Sequence, residues 1–205
     1  MKLKQYQQQE KDWPQSGQHI MAQFDDVSII VYQAYSPLIA NFAIEHQYFG
    51  GAFSYSRMSW IKPNFLWMMF RSGWAQKPGQ EKILAIKLKR HFFDQLLLEA
   101  VPSSYDSSKF ETHEIWRGAI ADSDVRLQWD PDHDPYGNKC NRRAIQLGLR
   151  GNALARYGRD EIISIEDVTS MVHEQFANLN DDLSKLWVPE EEIYQGPQGI
   201  MSEKS

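Results

Sequence analysis

Cysteine is nearly absent. Cys140 stands alone in 205 residues, so no disulfide can close within the chain, and no Cys/His spacing resembles a zinc site. No stretch approaches the run of about 18 apolar residues that a membrane span needs. The opening MKLKQYQQQEKDWPQSG lacks the apolar core of a signal peptide. These gaps point to a cytoplasmic protein without a membrane partner. A Gly-rich phosphate loop, a nucleophile elbow and a Ser/His/Asp order are also missing. His46, His91, His113, His133 and His173 are scattered, and DPDHDP around His133 reads as a turn, so no metal is expected.

The most informative absence is that of acid. No Asp or Glu occurs between Glu45 and Glu81, a window that carries Arg57, Lys62, Arg71 and Lys77. The window is therefore +4 in a chain of net charge −5, which leaves −9 for the rest. Within it, Phe53–Trp74 (FSYSRMSWIKPNFLWMMFRSGW) holds three of the seven tryptophans, at positions 60, 67 and 74. Arg and Lys are seldom buried without a partner. Flat aromatic faces interleaved with unpaired cations suit a ligand that has both rings and phosphates. The acidic remainder argues against indiscriminate nucleic-acid binding, so an anion site has to be local.

With 42% hydrophobic and 13% aromatic residues the chain has the composition of a folded globular protein. Residues 1–24 are polar and Gln-rich and read as an arm. Residues 25–188 read as one globular domain, and 189–205 as an acidic, flexible tail. Ser28–Tyr35 is a predicted strand, and Ser36 and Pro37 form the N-cap and first residue of a helix. Pro63 opens a second helix over Asn64–Arg71, ended near Gly73. Should that helix run on, Trp67, Arg71 and Trp74 share a face. Glu81–Lys89 alternates as a strand, and His91–Ala100 is an amphipathic helix. Residues 101–112 form a Ser-rich loop. Val125–Trp129 and Arg142–Leu149 read as strands joined by turn formers. A short helix over Asn152–Tyr157, a strand over Glu161–Ile165 and a helix over Thr169–Leu179 follow. The mixture has no regular βαβ rhythm, which predicts an α+β fold with mixed, mostly antiparallel sheets.

Three groups of residues are candidates for chemistry. The first is the Trp/Arg segment, whose tryptophans are either ligand platforms or plain core. The second is the strand end at Gln33, Tyr35 and Ser36, where a helix start offers donors to an anion. The third is the strand pair RLQWDP and RRAIQLGL. There Gln146 sits between Ala144 and Gly148 on one face, as on a surface that something approaches closely. Arg126, Gln128 and Asp130 share a face of the other strand, which reads equally as a solvent-facing side.

Taken together, VYQAYSP, RMSWIKPNFLWMMFRSGW, KPGQ, LQWDP and RRAIQLGL resemble an uncharacterised bacterial and fungal family, a domain of unknown function, over roughly Gln23 to Val172. More distantly the layout is similar to the split-sheet ADP-ribosyltransferase fold. That resemblance makes Ser28–Tyr35 the first strand, Tyr55–Trp60 the second and Ala144–Leu149 the late one. It implies an NAD pocket between two sheets, with Gln146, Tyr35 and Arg57 at the reacting centre. Gln33, Ser36, Tyr55, Trp60, Lys62, Trp67 and Arg71 would hold the cofactor. The implied activity is transfer of ADP-ribose to an unknown protein, nucleic-acid or small-molecule acceptor. Gln146 departs from the pattern, because that fold places an acid there and an amide lacks the charge. The alternative is an RNA- or nucleotide-binding module that stacks bases on the same Trp/Arg surface.

Overall fold

A computed structural model describes residues 1–197. The chain runs through β1 (Leu3–Gln5), α1 (Tyr6–Gln9), β2 (Gly17–Gln18), β3 (Met21–Ala22), β4 (Ser28–Tyr35) and α2 (Pro37–His46). Next come β5 (Ser59–Ile61), α3 (Phe65–Ser72), β6 (Lys82–Lys89), α4 (Arg90–Glu99), β7 (Val101–Pro102) and α5 (His113–Asp122). The last elements are β8 (Val125–His133), β9 (Lys139–Leu149), α6 (Gly151–Arg159), β10 (Ile162–Asp167), α7 (Thr169–Asp181), β11 (Trp187–Pro189) and β12 (Glu192–Ile193).

Two sheets carry the architecture. One has the order β10-β6-β4, antiparallel throughout. In the other, β9 pairs with β8 along one side and with β2 and β5 along the other, and β7 extends it beyond β8. Only β2–β9 and β7–β8 are parallel, so the fold is α+β with mixed, mainly antiparallel pairing.

Alternation along the strands fixes which faces are buried. Ile29 and Val31 of β4 and Leu84, Ile86 and Leu88 of β6 face one core, which they share with Val125 of β8 and Ile145, Leu147 and Leu149 of β9. Tyr32 of β4 and Ile83 and Ala85 of β6 face a second core built on α3 and α7. The smaller sheet is thus covered on both sides, and its edge strand β4 meets the segment that follows β5 at Tyr32. There Tyr32 N–H donates to the Lys62 carbonyl at 2.7 Å.

The compositional breaks at residues 24 and 189 are not packing boundaries. Tyr6, Trp13, Ile20, Met21 and Ala22 are buried, and β1 pairs with β11. Val188, Glu191 and Tyr194 are buried as well, and β12 pairs with β3. The remainder of the proposed tail, 198–205, lies outside the described residues. Two further expectations need correction. Of the segment 55–60 only Ser59 and Trp60 are strand, in β5, because Tyr55 to Arg57 turn to enter it. α3 stops at Ser72 because Gly73 takes φ +60°, so Trp74 does not continue the Trp67 face.

Candidate functional site

Beyond Tyr32 the end of β4 and the segment around β5 border a cleft of about 570 Å³. β4 supplies Gln33, Ala34 and Tyr35. The segment around β5 supplies Arg57, Met58, Ser59, Trp60 and Lys62. Met68 and Arg71 come from α3, Gln128 from β8, Gln146 from β9 and Gln80 from the loop before β6. The volume falls within the range of single small-molecule sites, although the lining here is unusually rich in amides and cations.

Local structure aims these side chains. Asn64 caps α3, its Oδ1 accepting from the Trp67 N–H at 2.7 Å. The cap fixes the helix so that Met68 and Arg71 face the cleft. Gln33 is almost wholly buried and fully used. Its Nε2 donates to Ser59 Oγ (2.9 Å) and to the Trp60 carbonyl (3.0 Å), and its Oε1 accepts from Tyr157 O–H at 2.6 Å. The Tyr35 hydroxyl shares Ser59 Oγ at 2.9 Å, and burial pushes that phenol far above its ordinary range. Gln33 and Tyr35 therefore clamp β5 onto β4 and form the back of the cleft.

The cations sit in front of this clamp. Arg57 and Arg71 are exposed at the rim. Among the described residues neither guanidinium has an ion pair or a side-chain hydrogen bond. Lys62 is 5% exposed, and its ammonium also lacks a hydrogen bond or ion pair; it lies 5.6 Å from the centroid of the Trp67 ring. Burial lowers its pKa from 10.5 to about 7; repulsion from Arg71 adds to this, and attraction to Asp130 opposes it.

Gln128 and Gln146, which also line the cleft, are direct cross-strand partners on β8 and β9. Both donate to one carboxylate: Gln128 Nε2 to Asp130 Oδ1 at 2.8 Å, and Gln146 Nε2 to Asp130 Oδ2 at 2.6 Å. Further along the same face, Trp60 pairs with Gly148. A Cβ on Gly148 would lie 2.9 Å from Trp60 Cζ2 and 2.8 Å from Met58 Sδ. The missing side chain is what lets the indole lie against β9. Gly148→Ala is accordingly expected to displace Trp60, at about 1–3 kcal/mol in stability. Urea unfolding and the tryptophan emission maximum would register this; an unchanged spectrum with unchanged stability would show that Met58 alone gives way.

The cleft thus gathers Gln33, Tyr35, Arg57, Trp60, Lys62, Arg71 and Gln146. Three expected site residues fall elsewhere. Ser36 is the residue before α2, and its hydroxyl makes no cap bond. Tyr55 donates to the Phe49 carbonyl at 2.6 Å and packs on Gly158 with Arg159 over its ring, which ties it to α6. Trp67 is 7% exposed and packs among Lys62, Phe70 and His133 behind the cleft wall. Gln128, Ser59, Met58, Met68 and Gln80 were not singled out as site residues from the sequence. For Gln128 a signal existed, since it shares a strand face with Asp130 and opposes Gln146.

The family model described as "Domain of unknown function (DUF4291)" matches residues 19–194. The chain belongs to the DUF4291 family. The match takes in every residue that lines the cleft, and also Glu191, which lies outside the segment suggested by the sequence motifs. No curated protein matches the chain. Among the described residues of this DUF4291 protein no helix is long and apolar enough to cross a membrane.

Proposed function

We propose that the cleft binds a nucleotide diphosphate and that its ligand is NAD, used as a donor of ADP-ribose. The observation that carries this reading is the trio of Arg57, Lys62 and Arg71. Three cations line one cleft, and among the described residues no protein carboxylate pairs with any of them. Two guanidiniums and an ammonium suit the oxygens of a diphosphate. The Trp60 indole offers a face for one ring of the ligand.

The chemistry follows from Gln146 and Asp130. In ADP-ribosyl transfer the C–N glycosidic bond breaks with both electrons leaving on nicotinamide. The acceptor's oxygen or nitrogen then bonds to the sugar carbon and yields its proton to solvent. The sugar is cationic in between, so a negative charge close by lowers the barrier. Gln146 has no charge of its own, but the Asp130 carboxylate stands one hydrogen bond behind it. Gln146 would position the sugar and Asp130 would supply the field. The acceptor is a protein, nucleic acid or small molecule. A cleft of about 570 Å³ matches one nucleotide-sized ligand better than a strand of RNA.

The test is incubation of the purified protein with NAD and measurement of nicotinamide release. Release that falls at least tenfold in Asp130→Asn and in Arg57→Ala supports the reading. Binding of NAD without release, in the presence of cell extract as a source of acceptors, would reduce the proposal to a nucleotide-binding protein.

A further inference from the structure

Gln128 and Gln146 are bound to Asp130 in a way that settles how their amides point. A carboxylate only accepts hydrogen bonds, so each glutamine must turn its NH2 toward Asp130. Its carbonyl oxygen then faces away from the acid. Among the described residues neither carbonyl oxygen accepts a hydrogen bond, although both residues line the cleft. As direct cross-strand partners they stand side by side, with Cβ atoms about 4.5–5.5 Å apart as usual for such pairs. Two acceptors next to each other, fixed by a shared acid, thus line the same cleft as three unpaired cations.

From this juxtaposition we infer that the Gln128–Gln146 pair is a receptor for the vicinal diol of a ribose, and makes the cleft selective for ribonucleotides. A diol presents two adjacent O–H donors, which is what paired carbonyl oxygens require. The same ligand's phosphates would reach Arg57, Lys62 and Arg71, which line the same cleft. A deoxyribose supplies one donor fewer and leaves a desolvated carbonyl unpaired, which is penalised more than the hydrogen bond itself gains. Asp130 is then a positioning residue as well: it locks the amides in the accepting orientation and prevents either from flipping to offer NH2 to the sugar. The inference rests on the nucleotide reading above and adds the determinant of sugar identity.

The experiment is calorimetric titration with NAD and with two analogues, one lacking the 2′-hydroxyl on the adenosine ribose and the other lacking it on the nicotinamide ribose. One of the two analogues is expected to bind roughly tenfold more weakly than NAD. In Gln128→Leu and Gln146→Leu, NAD itself should bind that much more weakly, and the difference between NAD and the affected analogue should shrink. Melting curves of the variants confirm folding, and the comparison of NAD with its analogues on the unaltered protein needs no variant. Equal affinities for NAD and both analogues would overturn the diol receptor while leaving nucleotide binding intact. No binding of any of the three would overturn the nucleotide reading and the receptor with it.

Discussion

Lys62→Met raises the melting temperature of the unliganded protein at pH 7 and removes its affinity for a diphosphate. The first half follows from burial. Lys62 carries its ammonium into a nearly closed position without an ion pair, and its pKa falls from 10.5 to about 7. Every tenfold loss of proton affinity is worth about 1.4 kcal/mol, so holding the charged form in place opposes folding by on the order of 4–5 kcal/mol. Methionine keeps the apolar stem and removes the charge. For a chain of this size the gain corresponds to roughly 10 °C. The sign with pH is fixed by linkage. Between about 7 and 10.5 the unfolded chain holds a proton on Lys62 that the folded chain has lost, so stability rises with pH through that window. Lys62→Met should flatten the rise. Melting temperature measured against pH for both proteins decides it, and a variant less stable than the parent at pH 7 would contradict the account. The second half is a trade of stability for function. A bound diphosphate returns charge to Lys62, so affinity should fall as pH climbs above about 7.

Glu191→Ala lowers stability by about 2–5 kcal/mol, through two donors left without a partner. Glu191 is fully buried where the end of the chain crosses the start of α3. Its Oε1 accepts from the Phe65 N–H at 2.6 Å, and its Oε2 accepts from Asn64 Nδ2 at 3.0 Å. Its own backbone is held by Gln9 and Trp13. One residue thus joins both ends of the chain to the helix that carries Met68 and Arg71. Burial pushes its carboxyl up to about 8 from 4.5. Here the folded chain holds the extra proton, so stability declines as pH rises from about 4.5 to 8, opposite in sign to the Lys62 contribution. Urea unfolding across pH checks both statements. Glu191→Ala as stable as the parent would show that residues beyond Pro189 do not support α3.

The elements with the clearest periodicity were legible. The alternation of SIIVYQAY, EKILAIKLK and RRAIQLGL matches β4, β6 and β9, because both faces of those strands meet distinct surroundings. The end of α3 was legible because Gly73 takes a left-handed conformation that few other residues adopt as easily, whereas Asn64, read as the first helical residue after Pro63, is in fact the N-cap. α5 was not, since none of its residues is buried and its sequence follows a Ser-rich loop. Residues 6–22 and 188–194 pack onto the body for one reason. Tyr6, Trp13, Ile20, Glu191 and Tyr194 anchor them singly, without a period, among Gln and Glu. In the site, Arg57, Lys62 and Arg71 were legible as cations without nearby acid. Tyr55 and Trp67 have the same chemistry as Tyr35 and Trp60, and only packing separates them. Asp130 and Gln128 showed on one strand face but gave no hint of their bonding, which depends on β9 lying opposite.

The most direct test of the account is calorimetric titration of the unaltered protein with ADP-ribose at pH 7, repeated with Arg71→Ala. Saturable binding of one ligand per chain is expected, weakened at least tenfold in the variant, with a matching rise in melting temperature for the unaltered protein alone. Absence of heat, together with an unmoved melting temperature at millimolar ADP-ribose, would contradict it and leave the three cations without a ligand.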